Sequence, residues 1–383
     1  MKKIQDKTLL LLSLVGAAAF SFMNLLELKP NRISQGVKYS SFEFFGGLGV
    51  AIIICWLGLI ALAFYGKKHK NLMVIIVTTG LLLLLLWILQ LKTGAYTKGN
   101  SSARVSLSAG FYVQVFSIYM LFSSYAKGIK RYQWIKWIGY ISIAGLVTFL
   151  LMTGAFDDLS LIKEYNTKKT QFADNLRIHA LLTLGSVATG ALIAIPLGFL
   201  AYSSKKLEDK IMIPLSIIET IPSLSLFGIL LVPLAGLGRL PFFDSIGVSG
   251  IGWAPAYVAL TLYTLLPIGR NTLTGFYSVD KGAIEAAKGM GMSKGQIVQK
   301  IELPLAFPVI FTGIRIAFIQ TIGGAVLAGL VGGGGLGTFV FLGLGEASPD
   351  LILLVVLPIV FFTVLLDYLL KAFEKTMRGV IYD

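Results

Sequence analysis

Charged side chains are scarce in this chain. Asp, Glu, Lys and Arg make up 14% of its 383 residues, against about 25% in an ordinary soluble domain. A single cysteine, Cys55, rules out a disulfide within the chain and any cysteine-based metal cluster. The two histidines, His69 and His179, are far apart in sequence, so no metal site is expected. No G-x-x-x-x-G-K-[ST] run occurs; the one Gly-Lys pair is Gly66-Lys67, followed by Lys68. The chain therefore has no phosphate cradle of that kind, and no ATP-hydrolysing site of its own is expected. No convergent set of acid, base, nucleophile or metal ligands recommends a membrane enzyme either.

What is present in abundance is apolar surface. Hydrophobic residues make up 56%, and mean hydropathy is +0.80. Repeated apolar runs of roughly 20 residues are the mark of spanning helices. Lipid offers no hydrogen bonds to the backbone, so only helices or closed barrels can span it. Barrel strands alternate in polarity, and runs such as Leu81–Leu86 do not. The expectation is an all-α integral membrane protein with about ten transmembrane helices, near 8–26, 46–65, 72–91, 105–125, 135–153, 178–202, 211–236, 254–270, 308–331 and 351–370. The first run is expected to be a retained span, because it lacks a clear A-x-A cleavage site.

The net charge of +14 would suggest nucleic acid in a soluble protein. Here the basic residues flank spans. With the N-terminus placed in the cytoplasm, 21 Lys and Arg fall inside and 11 outside. The inside groups include Lys2, Lys3 and Lys7; Lys67, Lys68 and Lys70; Lys127, Lys130, Arg131 and Lys136; and Lys205, Lys206 and Lys210. The positive-inside rule thus predicts a multi-pass plasma-membrane protein with both termini cytoplasmic. Lipid is an expected partner, and nucleic acid is not.

The chain is expected to divide into a five-span block (1–153), a polar extracytoplasmic linker (154–177) and a second block (178–383). Five spans plus five would give inverted halves, as in ion-coupled secondary transporters. Against that reading, the first half has no counterpart of residues 285–304 or of Gly332–Gly335.

Residues 280–304 decide between these readings. The segment is charged, carries Glu285, Lys288, Lys294, Lys300 and Glu302, and lies between two apolar segments. Asp280 suits a helix N-cap, Gly291 a left-handed C-terminal stop, and Ser293 with Gln296 a capping box. Pro304 and Pro308 should limit extension into the next span. The predicted shape is helix, sharp turn, helix, parallel to the membrane surface and fit to dock in a groove on a cytoplasmic partner.

The same segment meets the pattern E-A-A-x3-G-x9-I-x-L-P through Glu285, Ala286, Ala287, Gly291, Ile301, Leu303 and Pro304. It resembles the coupling segment of permease subunits of bacterial ATP-driven (ABC) importers. The stretches ETIPSLSLFGIL (219–230), LPIGRNTLTGF (266–276) and GLVGGGGLGTF (329–339) are similar to the glycine betaine/carnitine/choline osmoprotectant permeases. The resemblance covers roughly 173–375. It implies a C-terminal core of five helices with the ABC type I importer permease fold. It also implies cytoplasmic ATPase subunits that hold ATP and magnesium, an extracytoplasmic substrate-binding protein, and a second permease (the same chain or a shorter paralogue). The implied substrate is betaine-like: glycine betaine, choline, carnitine, or another betaine such as ergothioneine. The short side chains of Ala286, Ala287 and Gly289 would allow close approach to the ATPase, and Glu285 is expected to anchor the helix pair.

Glu219, Thr220, Pro222 and Ser223 are candidates for the translocation path. Many relatives carry Gln where this chain has Glu219. An intramembrane carboxylate is costly and usually functional; Glu219 could meet a cationic substrate or pair with a basic residue. Pro222 should kink its helix. Arg315 is expected to snorkel or to pair with Asp367. Trp253, Tyr257, Tyr263, Phe242 and Phe243 could form a transit surface for a quaternary ammonium or an interfacial aromatic belt. Gly332–Gly335 reads as a tight turn or as a gate where backbones meet closely.

Overall fold

The computed structural model describes residues 5–382 except 33, 65–68, 98, 101 and 129–132. Lys2, Lys3, Gly66, Lys67, Lys68, Lys130 and Arg131, named above, lie outside the described residues. The chain forms two compact units, Met1–Thr167 and Lys168–Asp383.

The first unit contains α1 (Lys7–Phe22), β1 (Asn24–Lys29), β2 (Val37–Ser40), α2 (Ser41–Phe45), α3 (Gly49–Leu62), α4 (Lys70–Thr97), β3 (Arg104–Leu107), α5 (Ala109–Ala126), α6 (Gln133–Met152) and α7 (Ser160–Thr167). Asp6 caps α1 by accepting the Leu9 amide at 3.0 Å. It also accepts from Lys70 Nζ at 2.6 Å and Tyr125 Oη at 2.5 Å, which ties α1 to α4 and α5. Trp56, Phe20, Phe44 and Phe45 are fully buried at the centre. Trp56 fits against Gly16, where any Cβ would strike the indole.

A three-stranded antiparallel sheet in the order β2-β1-β3 was not expected. Its strands are four to six residues long, and β3 joins from more than seventy residues away, so no local pattern announces it. The expected spans 8–26 and 105–125 are shortened accordingly, since each meets a strand at one end.

The stretch 154–177, expected to be a linker, is largely helical: α7 fills much of it and the next helix begins at Lys169. Its carboxylate Glu164 is 3% exposed and accepts from Arg32 Nε and Arg104 Nη1, both at 2.7 Å. Those contacts hold α7 within the first unit.

The second unit contains α8 (Lys169–Ser203), α9 (Lys205–Thr220), α10 (Ser223–Leu237), α11 (Pro241–Ser245), α12 (Trp253–Tyr277), α13 (Lys281–Gly289), α14 (Lys294–Ile297), α15 (Leu303–Gly324), α16 (Gly337–Gly345) and α17 (Pro349–Tyr382). α12 is the central helix, with α8 and α15 packed against it. Small residues permit close approach: a Cβ on Gly198 would meet the Gly269 carbonyl and Thr272, and one on Gly313 would meet Asn271 and the Pro267 carbonyl. Such interfaces are typical where lipid supplies no hydrophobic drive between helices.

Among the described residues, six helices are long and apolar enough to cross a membrane, and the bent pair α9–α10 makes a possible seventh. The protein is thus a multi-pass all-α membrane protein, and the count of ten is not established. The other three expected spans are helical, but α1 has 16 residues and α5 and α12 are more polar. α12 carries Thr261, Thr264, Arg270, Asn271 and Thr272. Most of its residues face protein, where a helix need not be apolar throughout.

Candidate translocation path and coupling segment

The expected span 211–236 is not one helix. It breaks at Ile221-Pro222, and α9 and α10 meet at 105°. Proline removes an amide donor and restrains the preceding residue to extended geometry; Ile221 is extended, with ψ at 125°. Tyr263 Oη reaches in from α12 and donates to the Ile221 carbonyl at 2.6 Å. Thr220 Oγ1 donates to the Ile217 carbonyl at 2.7 Å, as the break leaves carbonyls in need of donors.

The break lines a cavity of about 380 Å3. Glu219, Thr220, Pro222 and Ser223 all border it, so the structure brings these four together. Tyr263 from α12 and Gln320 and Thr321 from α15 complete it. Gln320 and Thr321 had not been singled out; they lie about a hundred residues from the ETIPS stretch, and only packing unites them.

The coupling segment differs in shape from the expectation. α13 ends at Gly289, and Gly291, two residues on, has the φ of +80° of the predicted left-handed stop. Ser293 and Gln296 form the predicted reciprocal box, with Ser293 N–H donating to Gln296 Oε1 at 2.8 Å and Gln296 N–H to Ser293 Oγ at 3.4 Å. Asp280 occupies the N-cap position of α13 but accepts no capping hydrogen bond through its side chain. α14 does not stop before the span. It continues through a π turn, Val298–Glu302, straight into α15. Pro304 comes just after the π turn, where the regular amide ladder is already interrupted, and Pro308 is accommodated inside the helix. The segment is therefore one short helix, a sharp turn, and the leading end of a 38-residue rod.

Within it, Ala287 is 1% exposed and packs inward, while Glu285, Ala286 and Gly289 are exposed. Ala287 is thus not available to an outside partner. Glu285 makes no hydrogen bond or ion pair with the described residues, so it is not the anchor. Glu302 takes that place: it is 6% exposed and accepts from Tyr202 Oη of α8 at 2.9 Å. Of the other motif residues, Ile301 and Pro304 are half-buried and Leu303 is exposed. Glu285, Lys281, Lys288, Lys294 and Ile297 border a groove of about 450 Å3 that Tyr202 and Glu302 also line.

The model for the binding-protein-dependent transport system inner membrane component matches residues 190–379. The model for the N-terminal domain of the ABC transporter permease YehY matches residues 5–162. The choline transport system permease protein OpuBB of Bacillus subtilis (strain 168) is 40% identical over 199 residues, covering 52% of this chain and 85% of that protein. This chain belongs to the permease subunits of binding-protein-dependent ABC transporters. The osmoprotectant import permease protein OsmW of Salmonella typhimurium is similar as well, at 37% identity over 53% of this chain and 90% of that protein. A solved chain of the MetNI methionine ABC transporter, inward-facing, is 25% identical, with a TM-score of 0.48, over 55% of this chain and 98% of its own.

Family membership makes this permease a transporter subunit and implies an ATPase and a substrate-binding partner. It also removes the ground from the five-plus-five reading. The two halves of the permease match two different family models, and among the described residues only the first unit has a sheet.

Arg315, inside α15, pairs with Asp367 at 3.3 Å, as expected, and also with Glu374 at 3.6 Å, both on α17. The five aromatic residues do not converge on one point. Trp253 and Tyr257 meet edge to face at 6.1 Å, and Phe242 meets Phe243. Tyr257 Oη bonds with Thr189 and the Gly185 carbonyl, whereas Tyr263 serves the break. Gly332, Gly334 and Gly335 have φ between +74° and +79°. Gly333 lies where a Cβ would press on the Gly252 carbonyl and Ala256. The run is a packed turn where backbones meet closely.

Proposed function

We propose that this permease is the membrane subunit of an ATP-driven importer for a betaine-like osmoprotectant such as choline, carnitine or glycine betaine. Relatives named for these substrates support the substrate class. The observation that carries the coupling mechanism is the continuous rod from α14 through the π turn into α15. Cytoplasmic ATPase subunits, which hold ATP and magnesium, dock on the exposed face of α13 and α14, with Glu285, Ala286 and Gly289 in contact. The turn at Gly291 and the Glu302–Tyr202 bond keep that platform rigid. Closure of the ATPase moves α14, and α15 follows because no loop intervenes. Gln320 and Thr321, near the far end of α15, then shift against Glu219 and Tyr263, and the path opens to the other side. Such coupling requires an element with two arrangements that both sites bias, and the rod is that element.

Both termini are cytoplasmic in this scheme. High-affinity capture belongs to a separate binding protein, and a second permease, identical or shorter, completes the path. The test is reconstitution in liposomes with the cognate ATPase and binding protein. ATP inside should drive uptake of choline or glycine betaine, and a proton or sodium gradient without ATP should not. Uptake driven by an ion gradient alone would overturn the reading.

A further inference from the structure

We infer that the α9–α10 break forms a binding site inside the permease for an alkylated ammonium cation, with Glu219 as its counter-charge. The inference rests on the importer reading above and deepens it, by giving the membrane subunit a charge preference of its own.

Four observations converge on this site. First, Glu219 is the one charged side chain bordering the cavity among the described residues, and it makes no hydrogen bond or ion pair with them. Glu219 is exposed to the cavity side of a broken apolar span, and a carboxylate within a membrane span is costly without a partner. The neighbouring cations are engaged elsewhere: Arg270 Nη2 donates to Ser216 Oγ at 3.3 Å, and Arg315 pairs with Asp367 and Glu374. Second, α9 ends at Thr220, so the negative end of its dipole points into the same space. Two independent sources of negative potential thus meet there, and an anion is disfavoured. Third, Tyr263 borders the cavity and lies ten residues into α12, about 15 Å along the axis. Its hydroxyl is held by the Ile221 carbonyl, which immobilises the ring beside Glu219. An aromatic face next to a carboxylate is the pairing that quaternary ammonium groups favour, because they attract a π cloud yet cannot donate a strong hydrogen bond. Fourth, Gln320 and Thr321 of α15 add polar side chains to the lining, suited to a hydroxyl or carboxylate on a small substrate. The volume, about 380 Å3, lies in the range of small-molecule pockets.

The chemistry predicts discrimination by charge. Choline carries one positive charge and no negative one; glycine betaine carries both. Glu219 attracts the ammonium of each but repels the carboxylate of the second. Replacing it with Gln keeps size and hydrogen bonding and removes the charge. One unit charge close to a partly screened partner changes an equilibrium by about tenfold or more.

The experiment measures ATP-driven uptake of choline and of glycine betaine in liposomes that hold the full-length permease, the ATPase and the binding protein. Wild type, Glu219→Gln and Glu219→Asp are compared. The ratio of kcat/KM for choline to that for glycine betaine should fall about tenfold in Glu219→Gln and recover in Glu219→Asp, with binding-protein affinities unchanged. A ratio that stays within about twofold of wild type overturns this inference alone. Absence of uptake of both compounds by the wild-type assembly overturns the importer reading and this inference with it. If Glu219→Gln does not assemble, Thr220→Cys in a Cys55→Ala background is labelled with a trimethylammonium thiosulfonate. Choline should then slow labelling several-fold, and no protection by choline refutes the site.

Discussion

The Tyr202–Glu302 hydrogen bond offers the sharpest test of how the coupling segment is held. Tyr202 lies in the last turn of α8, Glu302 ends the π turn, and one bond of 2.9 Å joins them across 100 residues of sequence. Tyr202→Phe removes only the hydroxyl, since the ring stacks on Phe276 at 5.2 Å and the Phe ring keeps that contact. The change strips Glu302, 6% exposed, of its donor. A hydrogen bond to a charged group is worth about 1.5–3 kcal/mol, and an orphaned buried acceptor costs at least as much. The expected loss is therefore about 2–3 kcal/mol. For a unit of this size each kcal/mol moves Tm by about 2–4 °C, so thermal unfolding of the purified permease should drop by roughly 4–12 °C. The functional reading is the ATP hydrolysed per substrate imported, which should rise as α13–α14 loosen while the ATPase still turns over. A cycle with Glu302→Gln separates the bond from its surroundings: the two changes should be non-additive by about 1 kcal/mol or more. An unaltered Tm together with an unaltered ATP-to-substrate ratio would refute the anchoring argument.

Three further outcomes are expected. Gly291→Val should leave membrane insertion intact and abolish uptake, because a β-branched residue at φ +80° is strained by about 1–3 kcal/mol; Gly291→Asn should retain more uptake, since open space surrounds the position and Asn tolerates the left-handed region. Burial alone would raise the Asp6 carboxyl, but the bonds from Lys70, Tyr125 and the Leu9 amide outweigh it and hold the pKa below the ordinary 3.8. A depressed carboxylate stabilises above its unfolded pKa and loses that contribution as pH falls through the folded value. Acid unfolding of the first unit, followed by amide exchange, should thus show a dependence below pH 3.8 that Asp6→Asn lacks. Finally, residues 168–383, given a neutral leading span to restore orientation, should support ATP-driven uptake near the full-length rate; an assembled, ATP-binding complex without uptake would make the first unit part of the machine.

Several features were legible in the sequence because they are local. The Gly291 stop and the Ser293–Gln296 box depend on residues no more than a few positions apart, so the chain states them directly. The break at Pro222 was legible as a kink, but neither its 105° angle nor the bond from Tyr263 on another helix to the Ile221 carbonyl can be read from the local sequence. The misreading at Pro304 and Pro308 has the same root. A proline ordinarily interrupts a helix, but one beside a π turn or inside a packed helix can be absorbed, and only the surroundings tell whether it is. Residues 154–177 looked like a tether because they are polar; the two arginines that bury Glu164 come from distant parts of the chain.

Composition and apolar runs sufficed for the membrane environment, since lipid leaves the backbone little choice but the helix. The spacing from Glu285 to Pro304 sufficed for the family. Tertiary structure alone decided which of those residues are exposed and which pack inward, for Ala286 and Ala287 are adjacent in sequence and opposite in exposure. It alone placed Gln320, Thr321 and Tyr263 around Glu219. The reason is physical: helical periodicity reports how a segment meets its surroundings on average, whereas a cavity arises where several helices stop short of one another, and that is a property of none of them singly.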